Sequence, residues 1–358
     1  MIALLFPYLI LQTLHWKPLS LGMVYTAAAI GTGLCSLAIG ILADVWGRKA
    51  TLLIGSLLLP ISIVLIVFST NTWVIFIAAI LGGFSSTGSL AGGGIGGAVQ
   101  PIQSAVVGDI SPPHQRTQTF SLLAFAGGVS GACGMVLTRF FSIEHSLILA
   151  FIFALMGTVP ILGLKLKSPH GTLGQIKSKV VIGKFSLTGI FNGLSQGLVT
   201  PFMIPFFMLA YHMPKERMAT WGFIAGGAAA ITLLFASPLE RRMGFVKTIA
   251  VTRGASAILL LLFPFVHWLP FSLFVYLASR ALQVIGAPVQ QTALTDRVQD
   301  DEYGRSLAIN QVSRLTASAA GSALSGLFFN ANILAAPFLL YSALTSFNIG
   351  LYIRFFSE

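Results

Sequence analysis

The chain alternates long apolar runs with short polar links. Eleven runs are long enough to cross a bilayer: 20–43, 50–69, 73–108, 117–138, 146–164, 185–210, 218–238, 248–266, 268–295, 306–328 and 333–353. A hydrocarbon core of about 30 Å needs about 20 apolar residues in a helix. A twelfth run, 1–14, is too short to cross alone. The runs are continuously apolar, whereas a membrane barrel needs alternating segments of about ten residues. The pattern predicts an all-α membrane protein with many spans.

Composition agrees with this. Hydrophobic residues make up 55% and charged residues 9% of the 358 positions. A soluble domain carries roughly 25% charged residues, so lipid must solvate much of this surface. The net charge is +11, which in a soluble domain would raise nucleic acid as a partner. Here the basic residues follow topology. Of 21 Lys and Arg residues, fourteen fall in alternate links and the tail, from Arg48 to Arg354. Four lie in the opposite links (Lys17, Arg139, Lys215, Arg217) and three inside runs (Arg253, Arg280, Arg314). The positive-inside rule makes the richer side cytoplasmic. The expected location is the plasma or inner membrane, the bilayer is an expected partner, and nucleic acid is not. Cys35 and Cys133 lie in apolar runs, so no disulfide framework follows. The start, "MIALLFPYLI", has neither the basic segment nor the cleavage site of a secretory signal.

The longest link is 165–184, "KLKSPHGTLGQIKSKVVIGK". It divides the chain into halves 1–164 and 185–358 and is expected in the cytoplasm. The halves resemble each other. "LLFPYLILQTLHW" at 4–16 parallels "VTPFMIPFFMLAYHM" at 199–213. "GILADVWGRKATLL" at 40–53 parallels "ASPLERRMGFVKTIA" at 236–250, mapping Asp44 to Glu240. "GDISPPHQRTQTFSLLAF" at 108–125 parallels "TDRVQDDEYGRSLAINQV" at 295–312, mapping Arg116 to Arg305. Two six-helix bundles in one orientation form a parallel repeat about a pseudo-two-fold axis along the membrane normal. By this repeat the first helix is truncated, short by about ten to fifteen residues, through a misplaced start or a shortened chain.

"GILADVWGRK" is the most specific stretch, with Gly40, Asp44, Gly47, Arg48 and Lys49 in a tight link. Gly47 permits the backbone such a turn needs, and Asp44 suits a helix N-terminus or a base. The stretch resembles the loop signature of the major facilitator superfamily, G-x-L-A-D-x-x-G-R-[KR]. It departs in one position, where Val45 stands in place of a frequent base. The resemblance extends through the weaker second copy, the twelve-span repeat and the basic central link. It implies a secondary transporter working by alternating access. It also implies that this loop locks the halves on the cytoplasmic side. Asp44 would then meet the start of the eleventh span near Gly304 and Arg305, with Arg116 and Glu240 completing the gate.

The resemblance further implies that spans 1, 4, 7 and 10 line a central cavity. Polar residues there share helical faces at spacings of three or four: Tyr8 with Gln12, Gln100 with Gln103, Asn192 with Gln196, and Tyr276 with Arg280 and Gln283. Arg280 and Arg314 lie deep in the tenth and eleventh runs, and a charge at that depth marks a pathway or a partner. Arg253, six residues past Lys247, is expected to snorkel to the cytoplasmic surface. No Asp or Glu lies mid-run, and the six His residues sit in links or at run ends. Arginines without acids favour an anionic substrate, since guanidinium matches carboxylate and phosphate. An organic anion is therefore the expected cargo, and a coupling proton or other ion is an open partner.

Efflux of hydrophobic drugs is the alternative. "LASRALQVIG" around Arg280 faintly resembles an arginine signature of efflux members, but in the other half, and "GGVSGACG" lacks their Gly-Pro. An inactive or sensor-like homologue is a third reading, supported by the short first helix alone. HExxH, GxSxG, a Walker lysine and zinc-ligand spacing are absent, so no enzyme, cofactor or metal is expected. Residues 91–101, "AGGGIGGAVQP", contain G-x-G-x-x-G without the strand and acid a dinucleotide needs. The fourth run exceeds its second-half copy by about eight residues here, or about 12 Å of helix. A break or bulge is expected near Gly88–Gly97, facing the cavity.

Overall fold

The structure is a computed structural model that describes residues 1–82, 99, 102–103, 106–107, 111–164, 177–266, 268–299 and 303–356. For residues 41, 44, 45, 303 and 304 it describes the backbone alone. The first bundle holds α1 (Ile2–Thr13), α2 (Pro18–Trp46), α3 (Arg48–Phe68), α4 (Thr72–Gly82), α5 (Arg116–Leu137) and α6 (Ile143–Gly163). The second holds α7 (Lys179–Tyr211), α8 (Lys215–Leu233), α9 (Ala236–Leu262), α10 (Leu269–Thr295), α11 (Tyr303–Asn330) and α12 (Ala336–Phe356). The break expected near Gly88–Gly97 lies outside the described residues, as does most of the link 165–184.

Eight helices among the described residues are long and apolar enough to cross a membrane, against eleven runs in the sequence. The three runs not among them are those of α4, α8 and α11. α4 is described over Thr72–Gly82, 11 residues. α8 and α11 are rich in Gly, Ala, Ser and Thr because they face the other half rather than lipid. α1, the separate twelfth run, is about 18 Å long at 1.5 Å per residue, short of the bilayer core.

Two expected regular helices are irregular. α1 turns from α-helix to π-helix over Leu9–Thr13, just after Pro7. α7 breaks into a 3-10 turn at Thr200–Phe202, where Pro201 has no N–H to continue the ladder. These irregularities fall in repeat-related stretches.

The repeat is visible in its two tightest turns. Gly47, between α2 and α3, has φ 86 and ψ 152. Gly244, inside the stretch assigned to α9, has φ 76 and ψ 169 and divides it into a short lead and the span proper. Only glycine occupies this backbone region readily. In each turn a threonine four residues on hydrogen-bonds the glycine carbonyl: Thr51 to Gly47 at 2.9 Å, Thr248 to Gly244 at 2.8 Å. Pairing the glycines places Glu240 one position before the counterpart of Asp44.

The bundles meet along two seams. In the first, α2 runs against α11. Gly22 faces Gly326, Thr26 donates to the Ala319 carbonyl at 3.0 Å, and Gly33 and Gly40 face Leu315 and Ala308. In the second, α5 runs against α8, with Gly128 on Ala230, Gly226 on Ala132 and Gly222 on Met135. Small residues let backbones approach where lipid supplies no hydrophobic drive.

The apolar core is asymmetric. On the side away from the 165–184 link, one cluster spans both bundles, from Leu4, Phe6 and Tyr8 through Tyr25 to Phe202, Phe207, Phe263 and Phe338. On the link side the core splits by bundle. Ile39, Leu52, Ile102 and Ile161 form one cluster, and Ile182, Phe185, Leu294 and Leu307 another. A small group, Ala124, Ala229, Leu233 and Val284, bridges them deeper in.

Candidate substrate pathway

Between the bundles, beside the break in α7, lies a cavity of about 10 Å³, room for about one water. Ala3 and Met135 line it from the first bundle. Thr200, Pro201, Met203, Ile204, Tyr276 and Arg280 line it from the second. Arg280 is half-buried, and its Nε is buried with no hydrogen-bond partner. Tyr276 sits one turn before it, buried, with its ring edge-on to Phe207 at 5.7 Å. The Thr200 hydroxyl bonds Gln196 Oε1 at 2.9 Å, fixing that amide at the helix break.

The other expected pathway residues are dispersed. Tyr8 is fully buried and donates to the Met213 carbonyl of the other bundle at 2.7 Å, whereas Gln12 is exposed. The shared face expected for this pair therefore does not place both side chains in the interior. Asn192 is buried within α7. Gln103 is half-buried, and Gln100 lies outside the described residues. Gln283 turns into its own bundle and donates to Ser256 at 3.1 Å, and Arg314 donates to Gln311 Oε1. Arg253 does not snorkel. It is 6% exposed and donates to Gln290 Oε1 at 2.9 Å, because α10 and α12 offer inward partners that the sequence could not place.

Both ends of the interface are closed by described contacts. Away from the link, Tyr8 bonds Met213, Lys215 bonds the Phe141 carbonyl at 2.6 Å, and Arg139 bonds Thr220 at 3.1 Å. On the link side Arg116 Nη1 pairs with Asp296 at 2.9 Å across the bundles. Next to it the Thr117 and Thr292 hydroxyls bond at 2.7 Å, and Arg241 donates to the His114 carbonyl at 3.2 Å. Glu240 lies beside Thr117, Asp296, Arg297 and Arg241. Residue types alone marked Arg116 and Glu240 but missed Thr117, Thr292 and Asp296 as their partners. Lys49 bonds the Leu162 carbonyl at 2.6 Å within its own bundle, and Gly40 faces Ala308 across the seam. Gly47 shapes its turn, Arg48 begins α3, and Arg305 lies in the first turn of α11. The side chain of Asp44 lies outside the description, so its expected meeting with the start of α11 near Gly304 is not described.

This is the architecture of a transporter with two helical bundles around a central axis. The chain belongs to the Major Facilitator Superfamily, whose family model matches residues 1–181 and 185–358. It is similar in fold to the human organic anion transporter MFSD10 (TETRAN). That match has a TM-score of 0.74 and 16% identity, and covers 92% of this chain and 83% of the other. The nucleoside transporter NupG matches with a TM-score of 0.68 and 13% identity, over 99% and 95% of the two chains. At these identities the likeness concerns the fold alone. An uncharacterized membrane protein of Saccharomyces cerevisiae is 24% identical over 133 residues, 37% of this chain and 29% of its own. Quinolone resistance protein NorA of Staphylococcus aureus is 29% identical over 104 residues, 29% of this chain and 24% of its own. The matched stretch thus spans under a third of either curated relative.

Proposed function

We propose that the chain is a secondary transporter that moves a small organic anion by alternating access. Arg280 would be the group that holds the anion. The observation that carries this reading is its unpartnered Nε at a cavity lined from both bundles. A guanidinium cannot shed its charge and leaves a fork open for a carboxylate. Tyr276 and Thr200 would orient the cargo, with Asn192, Gln196 and Gln103 nearby when the cavity widens. Contacts at both ends make the described arrangement an occluded state. Opening on the link side would require the Arg116–Asp296 clasp to part, with Glu240 and the Gly40–Lys49 turn moving as part of the gate. The 165–184 link would sit in the cytoplasm and join halves 1–164 and 185–358.

A counterflow assay in proteoliposomes tests it. Arg280→Gln is expected to abolish exchange of small organic anions, and Arg280→Lys to retain part of it. Exchange at the unmodified rate in Arg280→Gln would overturn the assignment. Efflux of lipophilic drugs is the second reading, favoured by the NorA match. Counterflow of a lipophilic cation, unaffected by Arg280→Gln, would select it.

A further inference from the structure

A second pair of arginines lies inside the second bundle, away from the cavity just described. Arg253 on α9 is buried, and its Nη1 has no hydrogen-bond partner. Its guanidinium stands over the Tyr352 ring, 5.2 Å from the centroid. Arg314 on α11 is near enough for the two charges to repel. The acids of this half are Glu216, Glu240, Asp296, Asp300, Asp301, Glu302 and Glu358, all in links, at helix ends or in the tail. No carboxylate therefore lies along α9 beyond its turn, or within α10, α11 or α12, to balance the pair.

The groups around Arg253 are unpaired in a matching way. The Tyr352 hydroxyl is fully buried without a partner, and Asn348, one turn earlier on the same face of α12, is 1% exposed with its Oδ1 unpartnered. A phenol can donate its O–H, and a carboxamide turned over presents its NH2. Gly286 on α10 flanks the site, where an added Cβ would lie in ordinary contact with the guanidinium, 3.7 Å from Arg253 Nε. Unpaired buried polar atoms are uncommon because each costs about 1–3 kcal/mol. Here Arg253 Nη1, the Tyr352 hydroxyl and Asn348 Oδ1 are all left unpaired, and neither arginine can be neutralised by losing a proton.

We propose that a small monovalent anion, chloride or a short carboxylate, binds between Arg253, Tyr352 and Asn348, with Arg314 adding charge. The anion is resident: it balances the arginines and ties α9 to α12. The site is independent of Arg280 and of the cargo proposed above.

Thermal unfolding of the full purified chain tests this, in sodium chloride, sodium formate or sodium gluconate at one ionic strength. Chloride or formate is expected to raise the Tm saturably over gluconate. Arg253→Gln should remove that rise, whereas Arg280→Gln should keep it. If Arg253→Gln does not fold, Tyr352→Phe decides. It should weaken the apparent anion affinity about tenfold, as expected for one lost charge-assisted hydrogen bond. Equal Tm in chloride, formate and gluconate, or a rise unchanged in Arg253→Gln or Tyr352→Phe, would overturn the proposal. Any uptake of labelled formate into proteoliposomes should be unchanged in Tyr352→Phe. Uptake blocked by Tyr352→Phe would make the ion cargo and overturn its resident role.

Discussion

Breaking the Arg116–Asp296 pair should open the link side of the transporter. At 2.9 Å and an effective dielectric constant of about 20, the gross attraction is about 6 kcal/mol. Two effects reduce it. The Asp296 side chain is 41% exposed, so water screens it, and the Arg116 side chain, at 10%, has given up most of its hydration. The net contribution is about 1–2 kcal/mol, which shifts an open–closed equilibrium by about 5- to 30-fold. The assay is labelling of a buried reporter from the link side with a membrane-impermeant maleimide. Ala124→Cys serves, since Ala124 is 7% exposed in the group that bridges the bundles on that side. Cys35 and Cys133 are replaced by serine. Arg116→Gln and Asp296→Asn should each raise the labelling rate by about that factor. The swap Arg116→Asp with Asp296→Arg should bring it back toward the original. A rate unchanged within about twofold in both single variants would refute the clasp.

Two further predictions concern the scaffold. At Gly22→Ala the new Cβ would lie 2.7 Å from Gly326 Cα and 2.9 Å from the Ser322 carbonyl, both backbone atoms that cannot turn aside. The α2–α11 seam should lose about 1–3 kcal/mol, seen as a lower Tm of the purified protein; an unchanged Tm would show that this contact is not close-packed. At Gly244→Ala nothing lies within 4 Å of the new Cβ, so any cost is backbone strain from φ 76 and ψ 169. About 1–3 kcal/mol is expected, with no rescue by asparagine, and a Tm equal to that of the unmodified protein would refute it.

What the sequence could and could not convey follows from how local each feature is. The spans were legible because bilayer thickness sets their length and composition. The Gly47 turn was legible because a tight link needs glycine within a few residues, whereas its copy at Gly244 lies one position off the register that pairs Asp44 with Glu240. The break in α7 was written as "TPF", but a single proline inside an apolar run also fits a merely kinked helix. Pairing was not legible. Asp296 is 180 positions from Arg116 and Gln290 is 37 from Arg253, and nothing local to either arginine names its partner. That is why Arg253, expected to snorkel to the cytoplasmic surface, faces inward instead.

The two closures differ in kind, and this sets which opens more readily. Away from the link, the bundles share one apolar cluster that includes Phe6, Tyr25, Phe202 and Phe338. Opening there exposes aromatic surface at roughly 25 cal/mol per Å². On the link side the larger clusters are divided by bundle, and among the described residues the cross-bundle contacts beyond the small Ala124–Val284 group and the Gly40–Ala308 approach are an ion pair, a hydroxyl pair and a carbonyl contact. Water replaces such bonds at about 0.5–1.5 kcal/mol each. The easier excursion from the occluded arrangement is therefore toward the link side. Arg116→Gln should increase labelling of Ala124→Cys from that side while leaving labelling from the opposite side unchanged. An increase from both sides would mean that the clasp supports the whole interface rather than one end of it.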